Sequence, residues 1–234
     1  MPRVHRPLRI ISTALITAGL VVLADAALTL LWQEPVSAAY ASLQQNKAGN
    51  QLADLESDFD SNVDGFLAAG ASERTQARVL AQRFQKTIHN DEPIGRVKIP
   101  SIGLDIVLMN GTDTATLQKG PGRYPQTPLP GLGGTTGIAG HRTTYLAPFR
   151  KINEIEDGDE VRVELPYAAF TYEVQKHEIV SPSDVDIVDP VGYERVVLTA
   201  CHPLYSAAQR YAVFAKLVRI DTFAISGEGK WLVL

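Results

Sequence analysis

Arg195-Val196-Val197-Leu198-Thr199-Ala200-Cys201-His202-Pro203-Leu204-Tyr205-Ser206-Ala207-Ala208-Gln209-Arg210-Tyr211-Ala212-Val213-Phe214 is the stretch on which the reading turns. Its first part, Arg195–Ala200, is rich in β-branched and apolar residues and reads as a strand. Pro203 has no N–H to give a ladder, so pairing should stop there. Residues 202–208 then form a turn, and Arg210–Val218 returns as the next strand. Such a hairpin brings Cys201 and Arg210 to one mouth. Cys201 is the chain's one cysteine. Taken alone it reads as a small buried hydrophobe, the commonest state of a free Cys.

The same texture extends upstream. Short β-rich runs separated by Gly/Pro turns cover Gly95–Ile99, Asp105–Met109, Thr136–Ala139, Glu160–Glu164 and Phe170–Val180. Several short strands with frequent turn signals predict a mainly β domain, closed or nearly closed, over residues 93–222. Asp113–Gln118 reads as a short helix. Gly120–Gly134 and Ser181–Tyr193 read as long loops, where binding usually resides on a β scaffold. Residues 223–234 read as a loose C-terminal tail.

The N-terminus differs. Residues 1–9 carry Arg3, Arg6 and Arg9, and an apolar stretch runs over 10–32. At ~1.5 Å per residue it makes about 34 Å of helix, enough to cross a ~30 Å hydrocarbon core. The basic residues place the N-terminus in the cytoplasm and the remainder outside, with Trp32 at the outer interface. Asp25 is the awkward residue in the span. A cleaved signal peptide, with Ala24-Asp25-Ala26 as its small-residue site, is the competing reading. Residues 33–92 are rich in Ala, Gln, Asp, Glu and Leu. Leu52, Leu55, Phe59, Val63 and Phe66 recur at helical spacing, and Ser72-Glu73 opens a second helical run. This zone reads as a helical stalk. Docking of its amphipathic helices on the domain stays open.

Composition narrows the function. A net charge of -4 offers no basic field for nucleic acid. A lone Cys excludes an intramolecular disulfide framework, and scattered His residues give no zinc spacing. Asp157, Asp159 and Glu160 match no EF-hand loop and read as a solvated turn. No cofactor is expected. In an exported domain an unpaired thiol is a hazard that needs a reason, and catalysis is one. Acyl transfer needs a thiolate, a proton carrier for the leaving amine, and fixed donors for the oxyanion. Cys201, His141 and Arg210 are the residue types for those tasks. His141 follows the strand Thr136–Ala139, with Gly137 and Gly140 nearby.

The ordered pattern Gly140-His141-Arg142-Thr143-Thr144-Tyr145, Pro148-Phe149, Gly158-Asp159, Leu198-Thr199-Ala200-Cys201 and Arg210-Tyr211 resembles sortases, the membrane-anchored cysteine transpeptidases of Gram-positive bacteria. The run Cys201–Tyr211 is most similar to class E, the actinobacterial housekeeping type. The resemblance covers about residues 93–222 and extends to the N-terminal anchor. It implies a closed eight-stranded β-barrel with short helices, and an enzyme that cleaves a Leu-Ala-x-Thr-Gly or Leu-Pro-x-Thr-Gly motif between Thr and Gly. It further implies secreted proteins with a C-terminal sorting signal as substrates and a peptidoglycan precursor amine as acceptor. On it, Cys201 is the nucleophile, His141 the general acid/base and Arg210 the oxyanion and substrate stabiliser. The family pattern before the nucleophile is usually Thr-Leu-x-Thr-Cys; here Val197 and Ala200 replace its two threonines.

Rival readings are an L,D-transpeptidase, which usually carries Ser-x-Gly-Cys, a papain-like peptidase, which puts Cys before His, and a pilin-polymerising sortase. The last often has a second membrane segment, which Phe223–Leu234 is too short and polar to form. A non-catalytic module on the same barrel is opposed by the intact Cys201, His141 and Arg210. Tyr145, Thr199 and Ala200 are candidate substrate-groove positions by their closeness to His141 or Cys201. His202 should point away from Cys201, since strand neighbours face opposite ways. His177 reads as a surface residue, and His89 and His5 lie outside the β domain. Arg142 reads as structural.

Overall fold

Strand-forming residues recur from Pro93 onward, and each predicted run becomes a strand of one closed sheet. The computed structural model describes residues 5–31, 35–61 and 71–222. The strands are β1 (Pro93–Ile99), β2 (Leu104–Asn110), β3 (Gly122–Arg123), β4 (Thr135–Ala139), β5 (Glu160–Leu165), β6 (Ala168–Val180), β7 (Arg195–His202) and β8 (Gln209–Thr222). They close in the order β1-β2-β3-β4-β7-β8-β6-β5. The β2–β3 and β4–β7 pairs are parallel, and the others are antiparallel. An eight-stranded barrel is just wide enough for side chains to fill it. Val97, Ile138, Phe170, Val196, Leu198 and Val213 belong to the cluster that does so.

The eighth strand, β3, lies inside the stretch that the sequence reads as a loop. It is two residues long, too short to show any period. Gly122 is required there, because a Cβ would stand 1.9 Å from the Gly111 carbonyl oxygen. β3 bridges β2 to β4 through Met109↔Gly122 and Gly122↔Ala139.

Among the described residues four α-helices accompany the barrel: α1 (His5–Leu31), α2 (Pro35–Ser61), α3 (Glu73–Phe84) and the short α4 (Thr114–Leu117). Ser72 caps α3 by accepting the Thr75 N–H, and Asp113 caps α4 by accepting those of Ala115 and Thr116. The zone read as a stalk is helical, yet both of its helices lie on the barrel. α3 buries Ala77, Leu80, Ala81 and Phe84 in the main core, while Ala48 and Leu52 of α2 cover Val107 and Met109. Their apolar faces recur at helical spacing, and burial against the sheet removes them from water. Val63, Phe66, Trp32 and the tail 223–234 lie outside the described residues. Leu8–Ala27 of α1 is long and apolar enough to cross a membrane.

Candidate active site

The β4–β7 pair fixes the height of the first two candidate residues. Its parallel register sets Ala139 beside Thr199, and the Gly140 N–H extends the ladder to the Thr199 carbonyl at 3.0 Å. Two residues further along each chain stand His141, just past the end of β4, and Cys201, still within β7, so both lie toward the same end of the barrel. The antiparallel β7–β8 pair then sets Cys201 opposite Arg210. All three occupy one row across adjacent chain segments.

The pleat also fixes the face. Val196, Leu198 and Ala200 of β7 and Val213 and Ala215 of β8 pack inside the barrel. Val197, Ala212 and Phe214 form a separate cluster on the outer face. Alternation therefore puts Cys201 and Arg210 on the outer face. Ile138 is an inner residue, so His141, three positions on, shares that outer face while the alternation of β4 continues through Gly140.

Cys201 is a half-buried free thiol. His141 is half-buried too, and its Nε2 is buried with no hydrogen-bond partner among the described residues. Burial pushes the His141 imidazole below its ordinary value of 6.5, because charging it would strand a cation away from water. Arg210 donates through Nη1 to the carbonyls of Ala207 and Gln209, both at 2.9 Å. Those bonds tie the guanidinium to its own turn. Its Nε and Nη2 make no hydrogen bond among the described residues.

The Tyr145 ring lies 5.3 Å from the His141 ring, tilted by 37°, and Thr199 is buried with its Oγ1 2.9 Å from the Tyr124 hydroxyl. Both therefore border the row. The structure does not bring Ala200 there: its side chain is 2% exposed and sits in the inner core, on the face away from Cys201. The threonine-to-alanine departure before the nucleophile is thus an interior feature. His202 faces inward as expected, with Nδ1 3.0 Å from Arg142 Nη1. His177 pairs with Asp157 at 3.4 Å, and Asp159 accepts the Glu156 N–H at 2.8 Å as a turn residue.

Arg142 gives more than a structural residue's share. It is buried beneath the row, and its Nη1 donates to the Cys201 carbonyl at 3.3 Å. Nη2 donates to Asn153 Oδ1 at 2.7 Å. One side chain thus clamps the backbone of Cys201 to the turn that follows β4. Its place next to His141 is the one sequence signal for this role. Tyr124, buttressing Thr199 from the loop after β3, leaves no such signal. The loop after His141 is held tightly: Tyr145, Leu146 and Ala147 have φ of 51°, 65° and 42°. Such left-handed residues cost of order 1–3 kcal/mol each unless their surroundings over-determine them. Here the Phe149 N–H returns to the His141 carbonyl at 3.0 Å and closes the loop.

Comparison with known proteins gives the family and the fold. The sortase domain family matches residues 97–218. Sortase D of Bacillus subtilis is 36% identical over 128 residues, which cover 53% of this chain and 63% of that protein. The chain therefore matches less than two thirds of that relative's length. Among solved structures, sortase E from Streptomyces avermitilis is 32% identical, with a TM-score of 0.53 over 58% of this chain and 93% of that one. A sortase D transpeptidase from Clostridium perfringens is 25% identical, with a TM-score of 0.59 over 75% of this chain and 99% of that one.

Proposed function

The chain belongs to the sortase family, and from that premise we propose that it is a cysteine transpeptidase acting on secreted proteins with a C-terminal sorting signal. The motif is of the Leu-Ala-x-Thr-Gly or Leu-Pro-x-Thr-Gly type, cut between Thr and Gly. The acceptor is an amine of a peptidoglycan precursor. α1 holds the enzyme in the membrane with its N-terminus in the cytoplasm, so that the barrel works outside.

The observation that carries this reading is the row His141–Cys201–Arg210, set by two strand registers on one face. The thiol proton of Cys201 passes to the neutral imidazole of His141 as sulfur attacks the Thr carbonyl carbon. The Arg210 donors left by the turn stabilise the oxyanion. As the C–N bond breaks, His141 returns the proton to the leaving Gly amine, and a thioester on Cys201 remains. The acceptor amine then attacks that thioester and gives up a proton to His141, which passes it to the Cys201 sulfur as the C–S bond breaks, restoring the thiol and the neutral imidazole. Tyr145 and Thr199 border the groove that holds the peptide.

Intact mass spectrometry of the full chain with a Leu-Ala-x-Thr-Gly peptide tests the step. The wild-type protein gains the mass of the acyl fragment and Cys201→Ala gains none. Normal turnover in Cys201→Ala sinks the assignment. A motif library with a free amine acceptor reads preference in the same assay.

A further inference from the structure

α2 presents two faces. Its inner face, Ala41, Ala48 and Leu52, is buried on the barrel. Its outer face opens with Val36, Tyr40 and Leu43, which are 81%, 42% and 63% exposed. At ~100° per residue these three fall within about 60° of one another, an apolar stripe about 10 Å long. Continuing the stripe, Lys47, Asn50 and Asp54 are exposed at the same helical position. The outer face thus runs from apolar through cationic and neutral to acidic along its length. From Val36 to Ala53 the helix carries one charge, Lys47, and its acids begin at Asp54. The stripe also begins five residues after α1 ends at Leu31.

We infer that the Val36–Tyr40–Leu43 stripe docks on the outer surface of the membrane that α1 crosses, with Lys47 at the level of the lipid phosphates. This rests on reading α1 as a span. Three observations favour a bilayer as the occupant. The stripe adjoins the span in sequence. Its polarity graded along one helix line matches the passage from acyl chains through headgroups to water. Its one cation lies between the apolar and acidic parts, where anionic headgroups would meet it.

The docking has a consequence for the site. Near the start of α2, Ser37 Oγ accepts the Tyr145 N–H at 3.4 Å, and Tyr40 meets the Tyr145 ring edge-on at 6.4 Å. Tyr145 in turn faces His141. A membrane-docked stripe therefore holds the His141 loop beside the lipid surface, within reach of lipid-borne substrates.

The test uses the full chain with Cys201→Ala, in vesicles of equal phosphatidylcholine and phosphatidylglycerol. An environment-sensitive fluorophore is attached in turn through Leu43→Cys, Asp54→Cys and Leu20→Cys, and nitroxide-bearing lipids serve as quenchers. The label at 43 should shift to the blue and lose most of its emission to shallow nitroxides, while the label at 54 keeps its emission. Equal quenching at 43 and 54 overturns the docking. A blue shift at 43 that nitroxides leave untouched and that grows with protein density overturns it in favour of a second copy of the chain. The label at 20 reports the span separately: its failure to meet deep nitroxides retires the span, whatever position 43 shows.

Discussion

At Gly140 the wall leaves no room for a side chain: a Cβ would stand 2.6 Å from Cδ2 of Phe149. Phe149 is fully buried, so its ring has little freedom to retreat. Gly140→Ala must then shift either the ring or the backbone, and His141 is the next residue. We expect a stability loss of about 1–3 kcal/mol, the usual range for overpacking. We also expect thioester formation to slow by up to about 100-fold, because small misplacements of a reacting group carry that penalty. Thermal melting and the acylation rate read the two effects. Wild-type acylation would show that Phe149 yields without moving His141. Arg142 lies one residue further and faces inward. Lysine keeps its charge, but one ammonium cannot replace the fork that joins the Cys201 carbonyl, His202 and Asn153. Arg142→Lys should cost about 1–3 kcal/mol and lower kcat with KM little changed, since its contacts are to the Cys201 backbone and to two side chains of the enzyme itself. A change in KM alone would place Arg142 among the peptide contacts instead.

Between elements, the notable join is Gln45 of α2. Its Oε1 accepts the Val107 N–H at 2.9 Å, and its Nε2 donates to the Val107 carbonyl at 3.2 Å and the Lys119 carbonyl at 2.8 Å. Strand β3 pairs with β2 only at Met109 and Asn110. Beyond that point a side-chain amide supplies the bonds that a longer strand would give, and the edge of β2 is covered. Gln45→Ala leaves the three backbone groups of Val107 and Lys119 without their partner, and should lower stability by about 1–3 kcal/mol. Amide hydrogen exchange at Val107 checks it: that N–H should exchange faster than those of Ile106 and Leu108, and equal rates would dismiss the role. This join shows where sequence reading stops. Long alternating runs such as Arg195–Ala200 announce strands, because pleat and burial act on many neighbours at once. The His141–Cys201–Arg210 set is legible from residue type, order and family likeness. Its row requires the register, which belongs to pairs of strands. β3 is two residues with no period, and Gln45 is one polar residue in a helix rich in others. The docking of α2 and α3 depends on which surface stands opposite them. Ala200 reads as a groove residue because it adjoins Cys201, and only the pleat sends it inward.

Across the whole molecule, two buried titrating groups pull stability in opposite directions with pH. Burial holds the His141 imidazole below 6.5. Above that pH the folded and unfolded chains both keep it neutral, and its contribution is complete. As pH falls below 6.5 the unfolded chain takes up a proton that the folded chain refuses, so stability is lost down to the folded pKa. Glu194 behaves conversely. Burial raises its carboxyl above 4.5, although the Gly131 N–H and the charges of Arg74 and Arg78 favour the anion. Its contribution is complete below 4.5 and is lost as pH rises through the folded value. A tenfold difference in proton affinity between the folded and unfolded chains is worth about 1.4 kcal/mol. Two variants separate these effects. His141→Gln cannot charge, so the melting temperature of the wild-type protein should fall relative to it as pH drops below 6.5. Glu194→Gln keeps an acceptor for the Gly131 N–H but cannot ionise, so it should gain on the wild-type protein as pH rises above 4.5. Parallel melting profiles for either pair would remove that group from the account. His141 also links stability to the proposed chemistry. The neutral imidazole that burial favours is the form that receives the Cys201 proton, so acylation should fall on the acid side of the same window. The acid limb of the acylation rate should then be centred below 6.5, at the pH where the His141-dependent loss of melting temperature levels off, and a limb that survives when that loss of melting temperature is absent would assign it to another group.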